Sequence, residues 1–121
     1  MKSRTIFFTL FFALSLLGPL SAVAADIRIG ENISTNQNEV IASNLYVSGA
    51  QVTLSGAMQK DVVIASGKVI VNGVVSGDVL ASGGSIDLLG RVSGDVRAAG
   101  GQIVVGGFIA GDLVVVGGSV H

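Results

Sequence analysis

Four aspartates recur at one interval: Asp61, Asp78, Asp95 and Asp112 lie seventeen residues apart, and Asn44 stands one interval before the first. If equal positions stack, the carboxylates form a column of like charges that a calcium ion would relieve, because calcium prefers carboxylate oxygen. A simpler role competes with that one. Gly77, Gly94 and Gly111 precede three of the four, and an aspartate at a tight turn bonds its own backbone two residues on. The calcium-binding nonapeptide Gly-Gly-x-Gly-x-Asp is absent. A turn role is expected for the column, and no metal ligand is assigned.

Other chemistry has little to work with. Asp87, Arg91 and Arg97 are isolated residues without the loop insertions from which β-helical polysaccharide lyases and hydrolases build their sites. His121 is the single histidine. Hexapeptide acyltransferases use a histidine between subunits, on coils of three six-residue units, and a seventeen-residue period does not fit that plan. With no cysteine, the chain lacks disulfides, a thiolate nucleophile, Cys-based metal sites and lipoprotein acylation. Gly83-Gly84 and Gly100-Gly101 open no helix and have no Lys-Ser/Thr nearby, so corner packing explains them better than phosphate binding. A regular Thr or Asn ladder of the ice-binding kind is missing too. The expectation is a non-enzymatic protein with no catalytic residue and no cofactor.

The aspartates mark a repeat that runs through most of the chain. GDVLASGGSIDLLGRVS (77–93) follows KDVVIASGKVIVNGVVS (60–76) and precedes GDVRAAGGQIVVGGFIA (94–110). A weaker copy fills 43–59, and a partial copy, 111–121, breaks off at His121 as a fragment would. A fixed period without insertions is the signature of a solenoid. Counting the first residue of each copy as zero, offsets 2, 4, 9, 11 and 15 are apolar in every full copy, for example Val79, Ala81, Ile86, Leu88 and Val92. Residues two apart share one face of a strand. These spacings do not follow a helical period, and interior glycines would weaken a helix.

Glycines fill the intervals between the apolar pairs, at offset 13 (Gly56, Gly73, Gly90, Gly107) and at offsets 6 and 7. They suit corners where φ is positive or backbones stack closely. Three short strands and three corners per seventeen-residue coil predict an all-β, single-stranded parallel β-helix of triangular section. Leu54, Val71, Leu88 and Val105, all at offset 11, should form one buried column, with Asp87 facing out. Residues 26–42 copy the repeat poorly and are expected to supply an entry strand around Ile27 and Ile29, a turn, and Val40-Ile41 as a cap.

Residues 1–25 read as a secretory signal peptide: Lys2 and Arg4, an apolar run from Ile6 to Leu17, and a small-x-small site at Ala22-Val23-Ala24. Without that segment five basic residues face eight acidic ones, a net charge of −3. No basic stripe remains for nucleic acid. The chain is expected outside the cytoplasm, in the periplasm or cell envelope.

The repeat GDVxAxGGxIxhxGxVx, h being apolar, resembles that of the bactofilins, polymer-forming bacterial cytoskeletal proteins. The resemblance runs from about Val40 to the end and rests on the recurring Asp-Val/Leu, Gly-Gly and Gly-x-hydrophobic elements. It implies a right-handed β-helix that associates end to end into a homo-polymer without nucleotide and often lies on a membrane. The signal peptide departs from the better-known cytoplasmic members and is similar to exported variants whose β-helix precedes transmembrane segments. Leu113, Val115 and Val120 in the unfinished coil are the candidates for coil-end association. Outward apolar residues, among them Val63, Leu80, Val114 and Val74, suggest a sticky wall, with Ile70, Val104 and Phe108 as its contact candidates. That wall supports an alternative role, adhesion to a polysaccharide, cell-wall or membrane partner.

Overall fold

The computed structural model describes residues 25–121; the expected signal peptide lies almost wholly outside them. Eleven strands follow in order: β1 Ala25–Ser34, β2 Val40–Ile41, β3 Asn44–Leu54, β4 Ala57–Met58, β5 Val62–Val71, β6 Val74–Val75, β7 Val79–Leu88, β8 Arg91–Val92, β9 Val96–Val105, β10 Phe108–Ile109 and β11 Leu113–Val120. All ladders are parallel. Odd-numbered strands stack as a six-stranded sheet, β1-β3-β5-β7-β9-β11, and even-numbered ones as a five-stranded sheet, β10-β8-β6-β4-β2. The chain is therefore a parallel β-solenoid. From β3 onward each coil advances seventeen residues, as in Val62↔Val79 and Val79↔Val96.

The apolar positions of each coil are shared between two ladders. Offsets 2, 4, 9 and 11 all belong to one long strand, while offset 15 falls on the two-residue strand. Buried positions along β5 are Val62, Ile64, Val69 and Val71. A flat strand alternates faces with period two, so Ile64 and Val69, five residues apart, would point oppositely. Both are buried because the strand bends between them, around the exposed Ala65, Gly67 and Lys68. The odd interval is what makes the corner.

Inside the coil, like stacks on like. The offset-11 column Leu54, Val71, Leu88 and Val105 is in register through four strands, and its first three members are buried. Val105 is half-buried and packs on the same core from the C-terminal side. Only one residue of the described chain has positive φ, Gly56 at 78°, where the chain turns beneath Asn36 and Glu39. Elsewhere glycine serves close approach instead. A Cβ at Gly90 would collide with the Gly73 carbonyl one coil below, a spacing set by the ladder itself.

The N-terminal segment forms a fuller coil than an entry strand and a turn. β1 pairs with β3 from Ala25↔Asn44 to Ser34↔Thr53, nineteen residues apart, whereas β2 pairs with β4 at the usual seventeen. The two extra residues lie in the bend between Ser34 and Val40. The strand expected around Ile27 and Ile29 is present, but both isoleucines face solvent, 67% and 80% exposed. The inward positions, aligned with Leu45 and Val47, are held by Asp26 and Arg28. The two-residue-longer bend moves the register by an even number, so Ile27 and Ile29 look outward at either spacing.

Candidate association surfaces

The aspartate column is a ladder of side chain to backbone. The Asp78 N–H donates to Asp61 Oδ1 at 2.9 Å, Asp95 N–H to Asp78 Oδ1 at 2.8 Å, and Asp112 N–H to Asp95 Oδ1 at 2.8 Å. Asn44 begins the series, its Oδ1 accepting from the Asp61 N–H at 3.1 Å. The turn role is thus exercised on the next coil, not on the aspartate's own loop two residues on. Preceding glycines make room for it: a Cβ at Gly94 would strike Asp78 Oδ1 and the Gly77 carbonyl. One oxygen of Asp61, Asp78 and Asp95 is engaged in this way, and the Gly-Asp dipeptide is explained without a ligand.

The first coil closes its end with charge. Arg28 donates from Nε to Asp26 Oδ1 and from Nη2 to Asp26 Oδ2, both at 3.1 Å, and from Nη2 to Glu39 Oε2 at 2.6 Å. The three side chains are about 30% exposed, so the cluster roofs the core while keeping contact with water. The hydrogen bonds it donates to Asp26 and then to Glu39 raise the Arg28 guanidinium further above its already high range. Its hydrogen bond in turn holds the Glu39 carboxyl below its ordinary value. Beneath them Thr35 is buried, its hydroxyl donating to the Ser55 carbonyl at 2.6 Å and accepting the Ser55 N–H at 2.8 Å. Asp26, Arg28, Thr35 and Glu39 escaped the sequence reading; aligning Gly30 with Gly49 across the longer coil would have set Asp26 and Arg28 opposite the core positions Leu45 and Val47.

At the opposite end the core lies open. Leu113 and Val120 are 44% and 48% exposed, although Val96 and Ile103, their partners one coil earlier, are 0% exposed. Val115 completes the surface and, with Val105 and Ile109, is partly buried against the core. All three coil-end candidates therefore converge on one apolar face. β11 forms the outer edge of the six-stranded sheet.

The outer-wall candidates do not form one patch. Ile70 and Val104 are half-buried on the second arm of β5 and β9, with Asp87 between them in the ladder. Phe108 belongs to the other sheet, where the Arg91 guanidinium lies 5.7 Å from its ring centroid. A more continuous apolar row runs along the first arm: Ile27, Tyr46, Val63, Leu80, then Arg97 and Val114. It borders the aspartate ladder, with Asp61, Asp78 and Asp95 lining a shallow groove beside Leu80 and Arg97. No family model, curated protein or solved structure matches this chain.

Proposed function

We propose that this protein is a non-enzymatic, exported structural module of the bactofilin-like kind, which associates with further copies through its coil ends and so contributes to a polymer or a membrane-associated scaffold. One observation carries the reading: Leu113 and Val120 are exposed at positions where the preceding coil is wholly covered. Stacking another coil there buries apolar area at ~25 cal/mol per Å². It also gives the β11 edge a hydrogen-bonding partner, which open edges favour. Sedimentation and electron microscopy of the purified protein test it. Concentration-dependent assembly, lost in Leu113→Glu with Val120→Glu while the β signal persists, is the expected result. A monomer at every concentration would overturn it.

A second reading rests on the row Ile27, Tyr46, Val63 and Leu80, three of which are exposed large hydrophobics. Used laterally, that wall would hold an apolar or amphipathic partner, as an adhesion module does. Leu80→Lys separates the two readings, since it should weaken lateral binding and leave coil-end assembly intact.

A further inference from the structure

We infer that the N-terminal coil is a built-in stop for assembly: the two inward positions of its first arm carry an ion cluster where every later coil carries core, so a second copy is accepted only at the opposite end. The inference rests on the proposed coil-end association and adds to it a direction and a limit.

The two inward columns of the first arm make the asymmetry concrete. One reads Asp26, Leu45, Val62, Val79, Val96, Leu113; the other reads Arg28, Val47, Ile64, Ala81, Ala98, Val115. Each is ionic at its first member and aliphatic thereafter. Head-to-tail stacking would press Asp26 and Arg28, with Glu39 beside them, onto Leu113 and Val115. That removes water from three charges and offers only hydrocarbon in return, and burying charge without compensating partners is strongly unfavourable.

Head-to-head contact fares no better. The cluster of Asp26, Arg28 and Glu39 carries one positive and two negative charges. Arg28 already donates to both carboxylates of its own copy, so two such ends meet as net-negative surfaces. Tail-to-tail contact instead sets Leu113, Val115 and Val120 against their own copies, apolar on apolar, in the self-complementary manner of a two-fold interface. End-on growth consequently stops at a pair. A longer scaffold needs a second, lateral contact, for which the Ile27–Tyr46–Leu80 row is the available surface.

The protein lacks cysteine, so a single introduced thiol reports which ends meet. Asn32→Cys places one on exposed β1, and Ser119→Cys places one on exposed β11. With a short bismaleimide, Ser119→Cys should cross-link into pairs, and Asn32→Cys should give a yield lower by about tenfold or more. Substantial and equal cross-linking at both ends overturns the stop. Two further variants locate its cause. Leu113→Asp with Val115→Arg copies the Asp26/Arg28 arrangement onto the open end, where both side chains reach solvent, and should abolish the Ser119→Cys pair without unfolding the chain. Persistent pairing in that variant overturns the proposal. Conversely, Asp26→Leu and Arg28→Val give the two first-arm columns the residue types of the second coil, and Glu39→Gln removes the remaining carboxylate of the cluster. In that background Asn32→Cys should cross-link and particles should grow beyond pairs; a folded variant whose N-terminal end stays unlinked overturns it. If Ser119→Cys never cross-links but the three-residue variant gains an N-terminal contact, the stop stands and C-terminal association fails.

Discussion

Adjacent residues in this chain have opposite fates, and the clearest pair is Asp87 and Leu88. Leu88 is buried between Val71 and Val105, whereas Asp87 lies on the outer face between Ile70 and Val104. Leu88→Asp places a carboxylate in an apolar bore without a hydrogen-bonding neighbour in its column, at a cost of several kcal/mol. Asp87→Ala should change stability by no more than about 0.5 kcal/mol. Thermal melting of the two variants checks the register, and a parent-like melt for Leu88→Asp would contradict it. At the first coil Thr35→Val removes the hydroxyl that accepts the Ser55 N–H and donates to the Ser55 carbonyl. The orphaned groups should lower stability by ~1–3 kcal/mol, measurable by urea unfolding, and Thr35→Ser should restore most of it.

Strands here are held as much by what lies at their corners as by what lies under them. The Gly-Asp corner works as a unit, because the glycine leaves the space into which the aspartate below reaches. Asp78→Asn should therefore be nearly neutral, since Asn44 already fills that role in the lowest rung. Gly94→Ala should be the more damaging change, its Cβ meeting both Asp78 Oδ1 and the Gly77 carbonyl. Melting temperatures that rank Asp78→Asn below Gly94→Ala would refute this account of the corner.

Strand β1 has its own pH dependence. The Glu39 carboxyl is held below its ordinary value chiefly by the Arg28 hydrogen bond. A lowered folded value means that the bond stabilises the coil above the ordinary carboxylate range and is lost as pH falls through the lowered value. The pair is partly solvated, so the effect should be under ~1 kcal/mol. It should appear as faster hydrogen exchange in β3 amides facing β1 on acidification below about pH 4, with β7 and β9 unaffected. Glu39→Gln should remove the dependence.

The described solenoid has unlike first and last coils, ionic at the first and aliphatic at the last. In a globular domain the core is closed on all sides, but a solenoid grows by adding coils, and each end exposes a cross-section of its core. The chemistry of those two sections decides how copies can meet. If the lateral row contributes to a larger scaffold, Leu80→Lys should reduce particles beyond the pair while the Ser119→Cys cross-link persists. Native mass spectrometry alongside the cross-linking checks that expectation, and loss of the pair itself would place the end contact on the wrong surface.

Local pattern was enough for most of this architecture. The seventeen-residue period, the inward offsets and the offset-11 column could all be read from the chain, because every full coil repeats the same apolar spacing and stacking leaves little freedom in register. The inward positions of Leu113, Val115 and Val120 were legible for the same reason, since they repeat offsets that are core in the preceding coil. Tertiary pairing decided the rest. It joined two of the expected strands across a bent corner, turned the aspartates toward the next coil, and separated Phe108 from Ile70 and Val104. It also placed Asp26 and Arg28 inside and Ile27 and Ile29 outside, against the usual preference of those side chains. That placement follows from the pairing of β1 on β3, where the ladder hydrogen bonds fix which face looks inward; the two extra residues in the first bend shift the register by an even number and leave the faces unchanged.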